Sequence, residues 1–120
     1  MNTGIFFLFV IGTAILYAGD LHLDFFKIDD QQYVVNNPWI RSINPENINH
    51  ILSNSYFVNY SPVHLFSYIV DYAIGGSNAY GFHLSSNIWA GLGAGFVYLI
   101  GLALTRRRIV AVLSAVLFVV

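Results

Sequence analysis

Asp29 and Asp30, adjacent in "KIDDQQYVV", are the residues whose type is best suited to chemistry. A carboxylate in such a pair can take a proton from an attacking hydroxyl, or ligate a divalent metal that holds a phosphate. Read by spacing alone, two neighbouring acids in a loop are more often a solvated feature than a site. A second set is His64, Ser67, Tyr68 and Asp71, which recur at i, i+3, i+4 and i+7 and so share one helix face. His64 and Asp71 can build a hydrogen-bonded stripe there, although a solvated polar face is the plainer account. The four histidines, His22, His50, His64 and His83, have no i, i+4 or other ligand spacing, so no metal site is read from them. The sequence carries no nucleophile elbow, P-loop or dinucleotide fingerprint. Zero cysteines exclude a disulfide scaffold and a thiolate metal centre.

The elements that position these residues follow from composition. The 120 residues are 57% hydrophobic and 17% aromatic but only 9% charged, against about 25% charged in soluble domains. All six acids, Asp20, Asp24, Asp29, Asp30, Glu46 and Asp71, lie between positions 20 and 71 with Lys27 and Arg41, giving that segment a formal charge of −4. The other bases form one block, Arg106 to Arg108. No basic stripe exists to neutralise phosphates along a strand, so nucleic acid is not an expected partner.

The charge-poor stretches predict an all-α membrane protein with two complete transmembrane helices and the start of a third. Residues 1–19 contain the run Gly4–Gly19, which spans a bilayer by borrowing flanking residues. It lacks the basic start and small-residue cleavage pattern of a signal peptide, which favours a retained helix. Residues 84–104 hold the 20-residue run Ser85–Leu104, matched to a hydrocarbon core of about 30 Å. Residues 105–108 form a turn, and residues 109–120 begin a third apolar helix. Arginine-rich short loops stay in the cytoplasm. The expected arrangement is an integral protein of a bacterial inner membrane or its equivalent, with the N-terminus cytoplasmic and residues 20–83 outside.

Within the outer segment, the alternation around Asp20, His22 and Asp24 predicts an extended exit from the membrane. Asn36, Asn37 and Pro38 signal a turn. Asn44 as N-cap, Pro45 in the first turn and Glu46 at the positive dipole end predict a short helix over about 45–54. A helix is expected over about 62–74, stopped by Gly75. Its apolar face would be Val63, Phe66, Ile69, Val70 and Ala73, laid on the bilayer surface or on transmembrane helices. In the second span, Gly91 and Gly95 make a GxxxG spacing extended by Ser86, Ala90 and Ala94. Such a face admits close approach of another helix, from the same chain or from a partner. It can equally receive a lipid tail or a planar pigment.

Two longer motifs, "DDQQYVVNNPWI" and "NYSPVHLFSYIVDYAIGGSNAYGFHL", resemble the first outer loop and the approach to the second helix of membrane-integral GT-C glycosyltransferases. The likeness is nearest to the protein O-mannosyltransferase-like members with tetratricopeptide repeats, and "RRRIVAVLSAVLFVV" is similar to their cytoplasmic turn and third helix. It covers about Phe26 to Val120. The resemblance implies transfer of a sugar from a polyprenyl- or dolichyl-phosphate carrier to an acceptor outside the membrane. It assigns Asp29 as the general base and Asp30 as the residue that positions it or helps hold a divalent metal. Ser86, Ala90 and Ser61 depart from the asparagine, histidine and arginine that members of the family usually carry there. Because such enzymes need many more helices for the carrier pocket, the resemblance implies the N-terminal portion of a longer enzyme, not catalytically complete alone. The alternative is a non-catalytic accessory subunit packed on a larger membrane complex through its glycine face and interfacial helix.

Overall fold

The computed structural model describes the chain from Asn2 to Val120. It is helical, with α1 (Asn2–Leu16), α2 (Pro45–Ser53), α3 (Pro62–Gly75), α4 (Ala79–Thr105) and α5 (Arg108–Val119). Short 3₁₀ turns occupy Ala18–His22 and Pro38–Ile40, and one π turn occupies Gln31–Val35. Among the described residues there is no strand, only an isolated bridge between Tyr56 and Asn59. The chain divides into two compact units, residues 22–82 and residues 1–21 with 83–120.

In the unit formed by residues 1–21 and 83–120, α1 and α5 both pack on α4. Gly91 supplies the close approach: a Cβ built there would lie 2.9 Å from the Val10 Cα and 3.1 Å from its carbonyl oxygen. A Cβ on Gly95 would meet the Phe6 ring at 2.6 Å, and one on Gly101 would meet the Ala111 Cα at 3.1 Å. Tyr98, Ala111 and Ala115 are fully buried at the α4–α5 contact, with Phe9 of α1 packed beside them. The Tyr17 hydroxyl donates to the Val119 carbonyl, and Asn87 Nδ2 donates to the Tyr17 carbonyl at 3.1 Å. The small-residue face is therefore occupied from within the chain by α1. Gly91, Ala94 and Gly95 are buried, Ala90 is half-buried and Ser86 is exposed, so the packing face is narrower than the five residues expected.

The expectation of two complete spans is corrected. Only α4, with 27 residues, is long and apolar enough to cross a membrane among the described residues. α1 has 15 residues, about 22 Å at about 1.5 Å per residue, short of a hydrocarbon core of about 30 Å. After Tyr17 the bonding changes to the tighter 3₁₀ pattern, with Asp20 N–H donating to the Tyr17 carbonyl at 3.1 Å. The same bonding corrects the extended exit, since Asp20 and His22 lie in that 3₁₀ turn. α4 begins at Ala79 rather than near residue 84, because Asn78 accepts the Tyr80 N–H at 3.0 Å and starts the helix inside the expected turn.

The unit of residues 22–82 has its own apolar core. Tyr33, Val34, Ile40, Ile51, Leu65, Ile69 and Phe82 are buried together. Asn37, which is fully buried, organises the link between the π turn and the next 3₁₀ turn. Its amide donates to the Tyr33 carbonyl and its side-chain oxygen accepts the Trp39 N–H, both at 3.0 Å. Arg41 then donates to the Asn37 and Val35 carbonyls and lies over the Tyr72 ring at 4.7 Å. α2 is capped as the sequence predicts, with Asn44 Oδ1 accepting the Asn47 N–H at 2.8 Å. α3 ends at Gly75, with Gly76 at φ +63° and ψ −139°, a conformation essentially reserved for glycine.

α3 buries part of the expected apolar face and widens it: Ile69 is in the core and Phe66 packs against it. Leu65, Tyr68, Ile69 and Tyr72, at i, i+3, i+4 and i+7, turn toward the core, and Asp71 is buried beside them. Val63 is 82% exposed and Val70 52% exposed. Tyr56, Tyr68 and Tyr72 pack against this core and join the helix to it despite their hydroxyls.

Candidate functional site

The π turn and the residues before it, the Asn59–Ser61 segment and α3 border a half-open cavity of about 510 Å³. Asp29 and Asp30 enter from the first, with Tyr33 one turn further on. Asn59, Tyr60 and Ser61 contribute from the second, and His64 and Tyr68 from the first two turns of α3. Two sets of residues separated by more than thirty positions, the acid pair and half of the predicted α3 polar face, thus line one space.

Backbone bonds fix the acid side. The Asp29 carbonyl accepts the N–H groups of Gln32 at 3.0 Å and Tyr33 at 2.9 Å. Asp30 Oδ2 accepts the Phe26 N–H at 2.9 Å, which anchors that carboxylate while Asp29 stays exposed. The next turn is tied down from above: Tyr56 OH donates to the Gln32 carbonyl at 3.0 Å, and Asn59 Nδ2 donates to the Tyr33 hydroxyl at 3.1 Å. Phe57, at φ +55°, closes the 56–59 turn that allows both contacts.

Aromatic rings form the opposite wall. His64 and Tyr68 have ring centroids 4.3 Å apart, and Tyr33 lies 6.1 Å from His64. Burial and the charges of Asp30 and Asp71 push the Tyr68 phenol up to about 12, because both oppose a phenolate. Burial holds His64 below its ordinary 6.5, so the imidazole is neutral at pH 7 even though part of it remains in solvent. Tyr56 is likewise raised, by burial and by Tyr33. At neutral pH the cavity therefore offers two carboxylates, phenol hydroxyls and a neutral imidazole. It can accept a proton, accept hydrogen bonds and stack a ring or an apolar face.

Of the predicted polar face, Ser67 stands apart: its hydroxyl donates to the His64 carbonyl at 2.7 Å. Asp71 does not line the cavity but acts on it through the field at Tyr68. The small residues Ser86, Ala90, Gly91, Ala94 and Gly95 belong to the other unit. Tyr33, Asn59, Tyr60 and Ser61 were missed as lining residues. Tyr33 had a usable signal, since it follows Asp29 by four residues and a helical turn puts both on one side. The divalent metal admitted by the resemblance does not find a full donor set. Among the described residues no group of three or more His, Asp or Glu side chains is placed to hold one, and two carboxylates alone make a weak site.

No protein-family profile matches the chain, and searches of curated proteins and of solved structures returned no match.

Proposed function

We propose that the cavity at Asp29 and Asp30 is the acceptor side of a glycosyl-transfer site, in a protein resembling the polyprenyl-phosphate-sugar-dependent GT-C enzymes. The observation that carries this reading is the convergence of the acid pair with Tyr33, His64 and Tyr68 on one cavity. Aromatic faces beside carboxylates suit a hydroxyl-bearing acceptor. The exposed Asp29 carboxylate takes the proton of the acceptor hydroxyl as that oxygen bonds to the anomeric carbon. The bond from that carbon to the phosphate oxygen breaks, and the lipid phosphate leaves with the electron pair. Asp30, held by the Phe26 N–H, keeps the turn in place and adds to the field. No Lys or Arg lines the cavity, so the groups that hold the donor phosphate beside it come from elsewhere in the catalytic assembly. In this reading α4 crosses the bilayer and residues 20–83 lie outside it, with the arginine turn in the cytoplasm.

The test is transfer of labelled sugar from a polyprenyl-phosphate-sugar donor by membranes carrying the protein within the full catalytic assembly that supplies the carrier pocket. Asp29→Asn, which keeps the size and removes the base, is expected to abolish most of it. Undiminished transfer would reject Asp29 as the base.

A second reading, a non-catalytic subunit of a membrane complex, draws support from an apolar groove between α1 and α5. It is lined by Leu8, Phe9, Gly12, Leu16, Val116 and Val119 and has a volume of about 270 Å³. The glycine face no longer supports that reading, because Val10 and Phe6 already fill it. Stable co-purification with a large complex, together with absent transfer, would favour the subunit.

A further inference from the structure

We propose that the ligand of the Asp29–Tyr68 cavity carries a positively charged organic ammonium group. The inference rests on the cavity being a binding site, as the transfer reading also requires, but not on transfer itself.

Charge is the first argument. Asp29 and Asp30 line the space, and the charge of Asp71 reaches Tyr68 from the far side. The segment contains only two bases, Lys27 and Arg41, and neither lines the cavity. Arg41 is engaged by the Val35 and Asn37 carbonyls and by the Tyr72 ring. His64 adds no positive charge at pH 7, because burial holds its pKa down. A recess with low-dielectric walls and one sign of charge concentrates the opposite ion.

Shape and surface supply the second argument, independent of charge. Tyr33, Tyr60, His64 and Tyr68 line the same space as the acids, with the His64 and Tyr68 ring centroids 4.3 Å apart. The ring faces of tyrosine attract an ammonium within about 6 Å, and aromatic cages are the usual way proteins hold alkylated ammonium groups. A small, strongly hydrated metal ion gains little from such walls, whereas an alkylammonium buries its methyl groups on them. At about 510 Å³ the space admits such a group with the chain attached to it.

Choline and its uncharged isostere 3,3-dimethyl-1-butanol separate charge from shape. Each is titrated into the whole protein in maltoside micelles while the ring resonances of Tyr68 and His64 are followed by NMR. Choline is expected to shift both rings and to bind about tenfold more tightly than the isostere. Asp29→Asn and Tyr68→Leu should each remove most of that difference, and Tyr68→Phe, which keeps the ring, should preserve it. Equal binding of the two probes, or no choline binding, overturns the inference. So does choline binding that survives both Asp29→Asn and Tyr68→Leu. Choline binding without sugar transfer would reject only the transfer reading. Transfer without choline binding would reject only the present inference.

Discussion

Tyr68 and His64 owe their acid–base behaviour to partial burial on α3, Tyr68 against the core and His64 at the cavity wall, which gives the site a pH signature. Tyr68 ionises at about 12 when folded, against an ordinary 10. Between those values the unfolded chain has lost a proton that the folded chain still holds, so stability falls as pH rises from about 10 to about 12. Asp30→Asn removes one of the charges that raise Tyr68 and should lower the phenol's midpoint, as read from ring-carbon NMR. His64 has the opposite sign. Its folded pKa lies below 6.5, so its contribution is present above 6.5 and is lost as pH falls through the folded value. Its ring signals should titrate below 6.5, and a midpoint at or above 6.5 would show that the ring is not desolvated as described.

At the scale of elements, the predicted effects depend on what a new methyl group meets. Gly91→Ala drives a Cβ against the Val10 backbone, which cannot step aside without moving α1. It is expected to destabilise the α1–α4 contact by about 1–3 kcal/mol in denaturant titrations in detergent. Gly95→Ala meets the Phe6 ring, which can rotate, so its cost should be smaller. The reverse order would contradict the docking of α1 described above. Much of this level was legible in the sequence. Asn44 and Pro45 marked the start of α2, Pro62 and Gly75 bounded α3, and the Gly91–Gly95 spacing announced a close helix contact. The buried face of α3 was legible only in part. Phe66 and Ile69 of the expected stripe reach the core, but Leu65, Tyr68 and Tyr72 join them while Val63 and Val70 stay exposed, and periodicity alone does not say where the buried arc ends. That choice is made by Tyr33, Val34, Ile40 and Ile51, distant in sequence. The cavity was hidden for the same reason: the acid pair and the His64–Tyr68 pair were each visible, but only packing brings them together.

For the whole molecule, the separation of charge becomes a statement about topology. The acids lie in residues 20–71 and three of the four arginines at 106–108, and the 27-residue α4 lies between them in the chain. The absence of cysteine makes the chain a ready background for site-directed labelling. Ser77→Cys should react with an impermeant maleimide on intact cells, and Arg107→Cys only after the membrane is opened. Labelling of both from the same side would contradict α4 as a single span. The central claim, that Asp29 acts as a base on an acceptor in the cavity, is tested most directly by the kcat of sugar transfer by the full catalytic assembly at saturating polyprenyl-phosphate-sugar donor. The account predicts that Asp29→Asn lowers kcat by about 10² or more while Tyr68→Phe leaves most of it. A kcat for Asp29→Asn equal to that of the unaltered protein would contradict it.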